Sequence, residues 1–315
     1  MEEISKYELI KELGAGCFGY VFLAKDKQTH QYVAIKRIEK VGKQLSREYE
    51  ILIELKNCKH CVRLLNCFYT SNNSKKLVQN MVFEYLEKDL ETLIGEMKKN
   101  TIMLSFDEIR LICYQLFKGL EEIHKKNIAH RDLKPENVML NEKRIVKLCD
   151  FGSSKFIDKN GKNTPYIVSR YYRAPELLMC DTKYSGKIDV WAVGCIIAEL
   201  FTLSPLFKGN SEGEQLFAIF KLWGSLTKEE EKLYQKNVPI NAKLIGNFPK
   251  FFKNTSAIEK LFGRIKKKNE LIDLLNQCFC YDYTKRISAS EALNHKFFEG
   301  IDKMYYDLMN KRKVN

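Results

Sequence analysis

The run HRDLKPEN, from His130 to Asn137, constrains this chain more than any other stretch. It sets two carboxylates, two cations and an amide close together. A short apolar run, VKLC, then leads into Asp150-Phe151-Gly152. Asp132, Asn137 and Asp150 are therefore oxygen-bearing side chains that one fold can bring to a single point. Oxygen donors of this kind suit a hard divalent cation such as Mg2+.

Upstream, GAGCFGYV, from Gly14 to Val21, fits G-x-G-x-x-G-x-V, and AIKR follows with Lys36. The glycines alone are ambiguous, because dinucleotide sites and plain turns use the same pattern. Here they stand between two strand-like runs, so they form a hairpin whose missing Cβ atoms let it lie close over phosphate oxygens. Lys36 can neutralise such phosphates, and Glu48 on the next helical run is the natural anion to hold it.

Residues 7–38 alternate between apolar and turn residues as three antiparallel strands would. SREYEILIEL has helical spacing with Ser46 as its N-cap. CVRLLNCFY and NMVFEYL read as two more strands. From Glu87 onward the pattern turns helical, in LSFDEIRLICYQLFKGLEEIHKK, IDVWAVGCIIAELFT and EQLFAIFKLWG. Ser105 and Glu108 form a capping box at the head of the first. The expected fold is α+β and bilobal, with a small β-rich N-lobe carrying one main helix and a larger, mostly helical C-lobe. The divisions read as 1–86, 87–298 and a short basic C-terminal tail over 299–315, loosely attached over its last dozen residues.

A chain of 315 residues suits two lobes sharing a cleft. With 45% hydrophobic residues and only 6 prolines it has the makings of a packed core. A net charge of +13 admits nucleic acid, but the lysines are dispersed and neither a stacking-aromatic motif nor a DNA-reading helix is present. The basic surface suits acidic or phosphorylated protein substrates instead. VWAVGCIIA is too short for a bilayer span of about 20 residues, and MEEISKYELI is no signal peptide, so membrane insertion is not expected. The ten cysteines are scattered, and Cys58/Cys61 and Cys278/Cys280 have no matching metal-ligand partners in the sequence. They read as reduced thiols, which places the chain in the cytoplasm, with the nucleus as a second compartment.

With these motifs in hand, the chain resembles a eukaryotic protein kinase over about residues 7–298. Every fixed position of that family's H-R-D-L-x-x-x-N loop is met. The resemblance implies ATP and Mg2+ as cofactors. Asp132 would orient the substrate hydroxyl and take its proton; a carboxylate of ordinary pKa near 4 suffices where transfer is late and positioning dominates. Lys134 would stabilise the moving phosphoryl group, and Asn137 and Asp150 would hold the metal. Lys134, two residues after Asp132, is the serine/threonine pattern. Ala174-Pro175-Glu176 closes the activation segment, Glu176 pairs with Arg286, and Asp189 braces the catalytic loop. Nucleotide contacts are implied for Leu13, Gly14, Ala15, Gly16, Cys17, Phe18, Gly19, Val21, Ala34 and Lys36. At the hinge, Phe83 is the gatekeeper, and backbone groups of Glu84 and Leu86 meet adenine. Asp89 either reaches the ribose or caps a helix.

RYYRAPE places the chain with the cyclin-dependent, mitogen-activated and glycogen synthase kinases. DFGSSK, YIVSRYYRAPELL, IDVWAVGCIIAELF, PLFKGNSEGEQLFAIFKLWG and CVRLLNCFYTSNNSKK are most similar to glycogen synthase kinase-3. That likeness implies a phosphate pocket of Arg47, Arg131 and Lys155, which takes a phosphoserine four residues C-terminal to the target on a substrate already phosphorylated. Converging cations repel unless an anion sits among them, and about 1.4 kcal/mol from one charge-assisted bond gives about tenfold preference. Tyr166 would be the activation-segment tyrosine, modified by the kinase itself.

Thr164-Pro165-Tyr166 departs from this and resembles the doubly phosphorylated lip of a mitogen-activated kinase, so phosphothreonine 164 is an alternative occupant of the pocket. The hinge VFEYLEKDL looks closer to a cyclin-dependent kinase. The chain begins about six residues before the domain, so inhibition by an N-terminal serine segment is not expected. Lysine-rich 236–268 leaves docking of scaffold proteins open. A monomer or weak dimer is expected. A pseudokinase scaffold is the reading from another class, and intact Lys36, Asp132, Asn137 and Asp150 argue against it.

Overall fold

The alternation of residues 7–38 becomes β1 (Tyr7–Gly16), β2 (Gly19–Asp26) and β3 (Tyr32–Lys40). With β4 (Leu64–Ser71) and β5 (Leu77–Glu84) they form an antiparallel sheet of order β1-β2-β3-β5-β4. The computed structural model describes residues 3–16, 19–40, 46–72, 74–157, 170–237 and 248–310. Tyr7, Ala24, Val33, Ile35, Phe68 and Val82 pack on one another as a small core of this sheet. Helix α1 (Arg47–Glu54) leads back to β4, and the Ser46 hydroxyl caps it by accepting from the Tyr49 N–H at 3.2 Å.

After the sheet the chain turns helical, as its 3.6-residue spacing requires. α2 (Leu90–Lys98) and α3 (Phe106–Lys125) come first, and α3 opens with the Ser105–Glu108 capping box. Short strands β6 (Lys88–Asp89), β8 (Val138–Leu140) and β9 (Val146–Leu148) form a small sheet beneath the cleft. β7 (Ile128–Ala129) pairs with β10 (Lys155–Phe156). These two sheets hold the catalytic stretch and the Asp150 stretch beside one another.

α4 (Pro175–Leu178) and α5 (Lys187–Thr202) follow. α5 is apolar nearly all round and is buried from Ile188 to Leu200, which accounts for the VWAVGCIIA run as a central core helix. Trp191 on it is fully buried against Phe207, Phe279 and Tyr281. α6 (Glu212–Trp223), α7 (Lys228–Asn237), α8 (Thr255–Phe262), α9 (Lys268–Cys278) and α10 (Ala289–Ala292) complete the large lobe.

The C-terminal stretch differs from the expected loose tail. Ile301–Asn310 is a helix, α11, packed on α3. Its Tyr305 hydroxyl lies 2.8 Å from His60 Nε2 in the loop after α1, so the end of the chain is tied back to the joint between the lobes. None of the nine described cysteines forms a disulfide. Among the described residues no helix is long and apolar enough to cross a membrane.

Candidate active site

Strand register sets the cleft wall. Val21 on β2 stands opposite Lys36 on β3, and Ala34 stands opposite Phe83 on β5. Lys36 therefore points from mid-sheet toward α1, where its Nζ lies 2.8 Å from Glu48 Oε1 and 3.0 Å from Oε2. The same ammonium lies 2.8 Å from Asp150 Oδ1. Burial works against the charge on Lys36, yet the two carboxylates together hold its pKa above the ordinary lysine value. Asp150 is half-buried; partial burial works against its charge, but Lys36 holds its pKa below the ordinary carboxylate value.

Asp150 adopts a left-handed backbone, φ 56°, which is costly for a residue with a Cβ and aims its carboxylate into the cleft. Gly152 follows for a visible reason. A Cβ there would stand 3.2 Å from Asp150 Oδ1 and 3.3 Å from Lys36 Nζ, crowding the ion pair. Phe151 is buried against the His130 ring at 4.9 Å.

The catalytic stretch is held from behind. Asp189, at the start of α5, accepts the backbone N–H of His130 at 2.8 Å and of Arg131 at 2.9 Å. His124 also bonds it, at 3.0 Å. Arg131 is itself left-handed at φ 71°, so this clamp holds a strained turn. Asn137 donates its amide to the Asp132 carbonyl at 2.8 Å and to Asp132 Oδ2 at 3.2 Å. That orientation leaves the Asn137 oxygen as the atom a metal would take. Lys134 is half-buried near Glu136, at 3.8 Å.

Asp132 differs from the ordinary carboxylate expected of it. Burial pushes its pKa up to about 6, against the pull of His130 and Lys134. A base poised there is better matched to neutral pH than one near 4.

The donor set fits Mg2+, since the Asn137 amide and the Asp150 carboxylate are hard oxygen ligands on facing loops. The fold also leaves room for phosphates. Among the described residues, no atom beyond its chain neighbours lies within 4 Å of where a Gly14 Cβ would stand, so packing by those residues does not explain that glycine. Gly19 is different: its φ is 113° and a Cβ would meet the Arg37 carbonyl oxygen at 2.1 Å, so the hairpin itself requires it. Leu13, Gly14, Ala15 and Gly16 lie on β1, whereas Cys17 and Phe18 lie outside the described residues.

At the hinge, Phe83 and Leu86 are buried. The Glu84 N–H is taken by the Arg63 carbonyl at 3.1 Å, and its side chain by Lys147 Nζ at 2.6 Å. The Glu84 N–H is thus already taken by the protein. Asp89 is the N-cap of α2, accepting from the Thr92 N–H at 2.6 Å, so the capping alternative describes it.

Of the three cations expected to form a phosphate pocket, Arg47 opens α1 and Lys155 opens β10, and these two elements pack together. Arg131 is already committed in part, with Nε on the Ser153 carbonyl at 2.7 Å and Nη1 on the Tyr184 hydroxyl at 2.7 Å. Thr164 and Tyr166 lie outside the described residues. Sequence reasoning missed Tyr184, Lys147 and the Lys36–Asp150 contact. Each joins residues dozens of positions apart, with no local pattern to announce it.

Residues 7–298 match the protein kinase domain. The chain is 37% identical over 311 residues to "Probable serine/threonine-protein kinase glkA" of Dictyostelium discoideum, covering 99% of this chain and 62% of that relative. It therefore spans less than two thirds of that protein's length. It is 35% identical to "Glycogen synthase kinase 1" of Pyricularia oryzae, covering 94% of this chain and 73% of the relative. It is 34% identical to "Cyclin-dependent kinase B2-1" of Oryza sativa subsp. japonica, with coverages of 95% and 92%.

Proposed function

The chain belongs to the protein kinase family, and from that premise we propose that it is an active serine/threonine kinase of the glycogen synthase kinase type that prefers primed substrates. The observation that carries the activity is the Lys36 ammonium held at 2.8 Å from both Glu48 and Asp150, across the cleft between the lobes. A binding scaffold has no need of that assembled trio.

In this reading ATP lies under the Gly14–Gly19 hairpin, with adenine against Phe83, Leu86 and the Glu84 carbonyl. Lys36 neutralises phosphate oxygens, and Glu48 keeps it aimed. Asn137 and Asp150 hold Mg2+, which supplies charge neutralisation of the phosphates when bound. Asp132 orients the substrate hydroxyl and accepts its proton, while Lys134 stabilises charge on the transferring group. Arg47, Arg131 and Lys155 receive the substrate's existing phosphate. Support for priming comes from the packing of α1 on β10 and from similarity to a relative named for glycogen synthase.

The test uses one peptide made with and without a phosphoserine four residues after the target serine. Wild type, Asp150→Ala and Thr164→Ala are assayed with ATP and Mg2+. The proposal expects Asp150→Ala to abolish transfer, the primed peptide to react at least about tenfold better, and Thr164→Ala to change little. Transfer that survives Asp150→Ala removes the kinase reading. If priming has no effect and Thr164→Ala silences the enzyme, the pocket is filled from within and the primed-substrate reading fails.

A further inference from the structure

Three ligand atoms converge where the small lobe is pinned to the large one. The sequence offered Cys58 and Cys61 no third ligand, but the fold supplies Glu122 from α3. The two Sγ atoms and a carboxylate oxygen all lie within 4.8 Å of one another. Cys58 is half-buried and Cys61 is buried.

The cluster is held by backbone from several elements. Glu122 accepts the Lys59 N–H at 3.1 Å on one oxygen and the His60 N–H at 3.0 Å on the other. Each oxygen keeps a second lone pair. The loop that carries the cysteines is fastened to β9, with Val62 N–H on the Leu148 carbonyl at 2.9 Å and Leu148 N–H on the His60 carbonyl at 2.8 Å. His60 Nδ1 lies 2.8 Å from the Val146 carbonyl. Lys147 Nζ donates to the Cys61 carbonyl at 3.2 Å.

We propose that Cys58, Cys61 and Glu122 form a site for a thiophilic divalent cation of the Zn2+ class. Tetrahedral bonds of about 2.3 Å to sulfur and 2.0–2.2 Å to oxygen put neighbouring ligand atoms roughly 3.5–3.8 Å apart, a small contraction of this cluster. The fourth position is open to water. Binding releases both thiol protons to solvent. The two thiolates and Glu122 then carry three negative charges against two on the cation, which leaves the occupied site with one net negative charge. The bound cation would bridge the loop after α1 to α3, stiffening the joint that carries Glu48. The site stands independently of the proposed phosphoryl transfer.

The experiment titrates the reduced full chain with Co2+ as a spectroscopic probe. Expected are thiolate-to-cobalt charge-transfer absorption in the near ultraviolet and tetrahedral d–d bands in the visible. Both should saturate at one equivalent, and one equivalent of Zn2+ should displace them. Cys58→Ser, at the half-buried position and checked by its melting curve, should lose the charge-transfer intensity of that sulfur. Glu122→Gln should weaken binding at least about tenfold, as loss of a supporting ligand does elsewhere. The proposal is overturned by absence of the band in wild type, by an unchanged band in Cys58→Ser, or by a Cys58–Cys61 disulfide that forms at the same rate with Zn2+ present.

Discussion

Arg286 and Glu176, far apart in sequence, form a two-pronged ion pair with Nη1 to Oε1 at 2.6 Å and Nη2 to Oε2 at 2.9 Å. Neither side chain has appreciable solvent exposure, at 0% and 1%. Arg286 also donates to the Cys280 and Lys187 carbonyls and lies over the Trp191 ring. The pair thus nails the end of the RYYRAPE stretch to the core around α5. Removing one partner strands the other charge in a dry site, so Arg286→Met should cost about 3–5 kcal/mol in urea unfolding. The double variant Glu176→Leu/Arg286→Met should recover most of that loss, because the orphan charge is what costs. A single-variant loss under about 1 kcal/mol would mean that water reaches the pair, as at an exposed bridge.

Asp132 gives the proposed reaction a pH signature. Its folded pKa is raised from 3.8 to about 6, chiefly by burial. The carboxylate must be ionised to accept a proton, so kcat/KM should rise with pH through about 6 and level off above it. An acid limb near pH 4 in the pH–rate profile would show instead that Asp132 is fully solvated in the working enzyme. Asp132→Asn should lower kcat by about 10²–10⁴, the range for loss of a general base, with the fold intact by circular dichroism.

Much of this site was legible because its motifs are local. Gly14 to Val21, Lys36, His130 to Asn137 and Asp150 to Gly152 carry their spacing in the chain. The caps at Ser46 and Ser105 were readable for the same reason, since a capping oxygen and the N–H that donates to it lie within one turn. Contacts set by tertiary closure were readable where a family motif carries them, as for Glu176–Arg286 and the Asp189 brace, and not elsewhere. Nothing near Glu122 announces Cys58, nothing near Tyr305 announces His60, and the Asp132 pKa depends on walls supplied by several elements. Asp89 shows the intermediate case, where local sequence allowed two roles and backbone geometry favours the cap. Of the dozen residues expected to be loosely attached, 304–310 continue a helix that Tyr305 ties to His60, which period alone cannot show, and 311–315 lie outside the described residues.

Asp189 should matter to catalysis without touching substrate. Its two oxygens accept the His130 and Arg131 N–H groups, and Arg131 is in a strained left-handed conformation. Asp189→Asn turns one acceptor into a donor facing a donor, which should cost about 1–3 kcal/mol. With the loop released, kcat should fall while KM for ATP changes little, because the hinge is unaffected. Burial opposes the Asp189 charge, but His124, His130 and the backbone donors win and depress its pKa. Its contribution to stability is therefore present above about pH 4 and lost as pH falls through the lower folded value. In Asp189→Asn that acid-side loss should disappear from the stability–pH curve.

Glu199 predicts the opposite slope. Its Oε2 accepts the Tyr172 hydroxyl at 2.7 Å inside the core. Burial raises its pKa to about 7, the Tyr172 bond pulls it down, and Glu91 and Glu136 push it further up. An acid whose folded pKa exceeds its unfolded value near 4.5 stabilises the fold while protonated, and that contribution is lost as pH rises through about 7. Glu199→Gln keeps an acceptor for Tyr172 and cannot ionise. Its melting temperature should exceed that of wild type at pH 8, and the difference should shrink or vanish at pH 5. Tyr172→Phe removes the hydroxyl that favours the carboxylate, so the alkaline decline should shift to higher pH in that variant. Equal wild-type and Glu199→Gln melting temperatures at pH 8 would mean that the charged carboxylate is accommodated without cost.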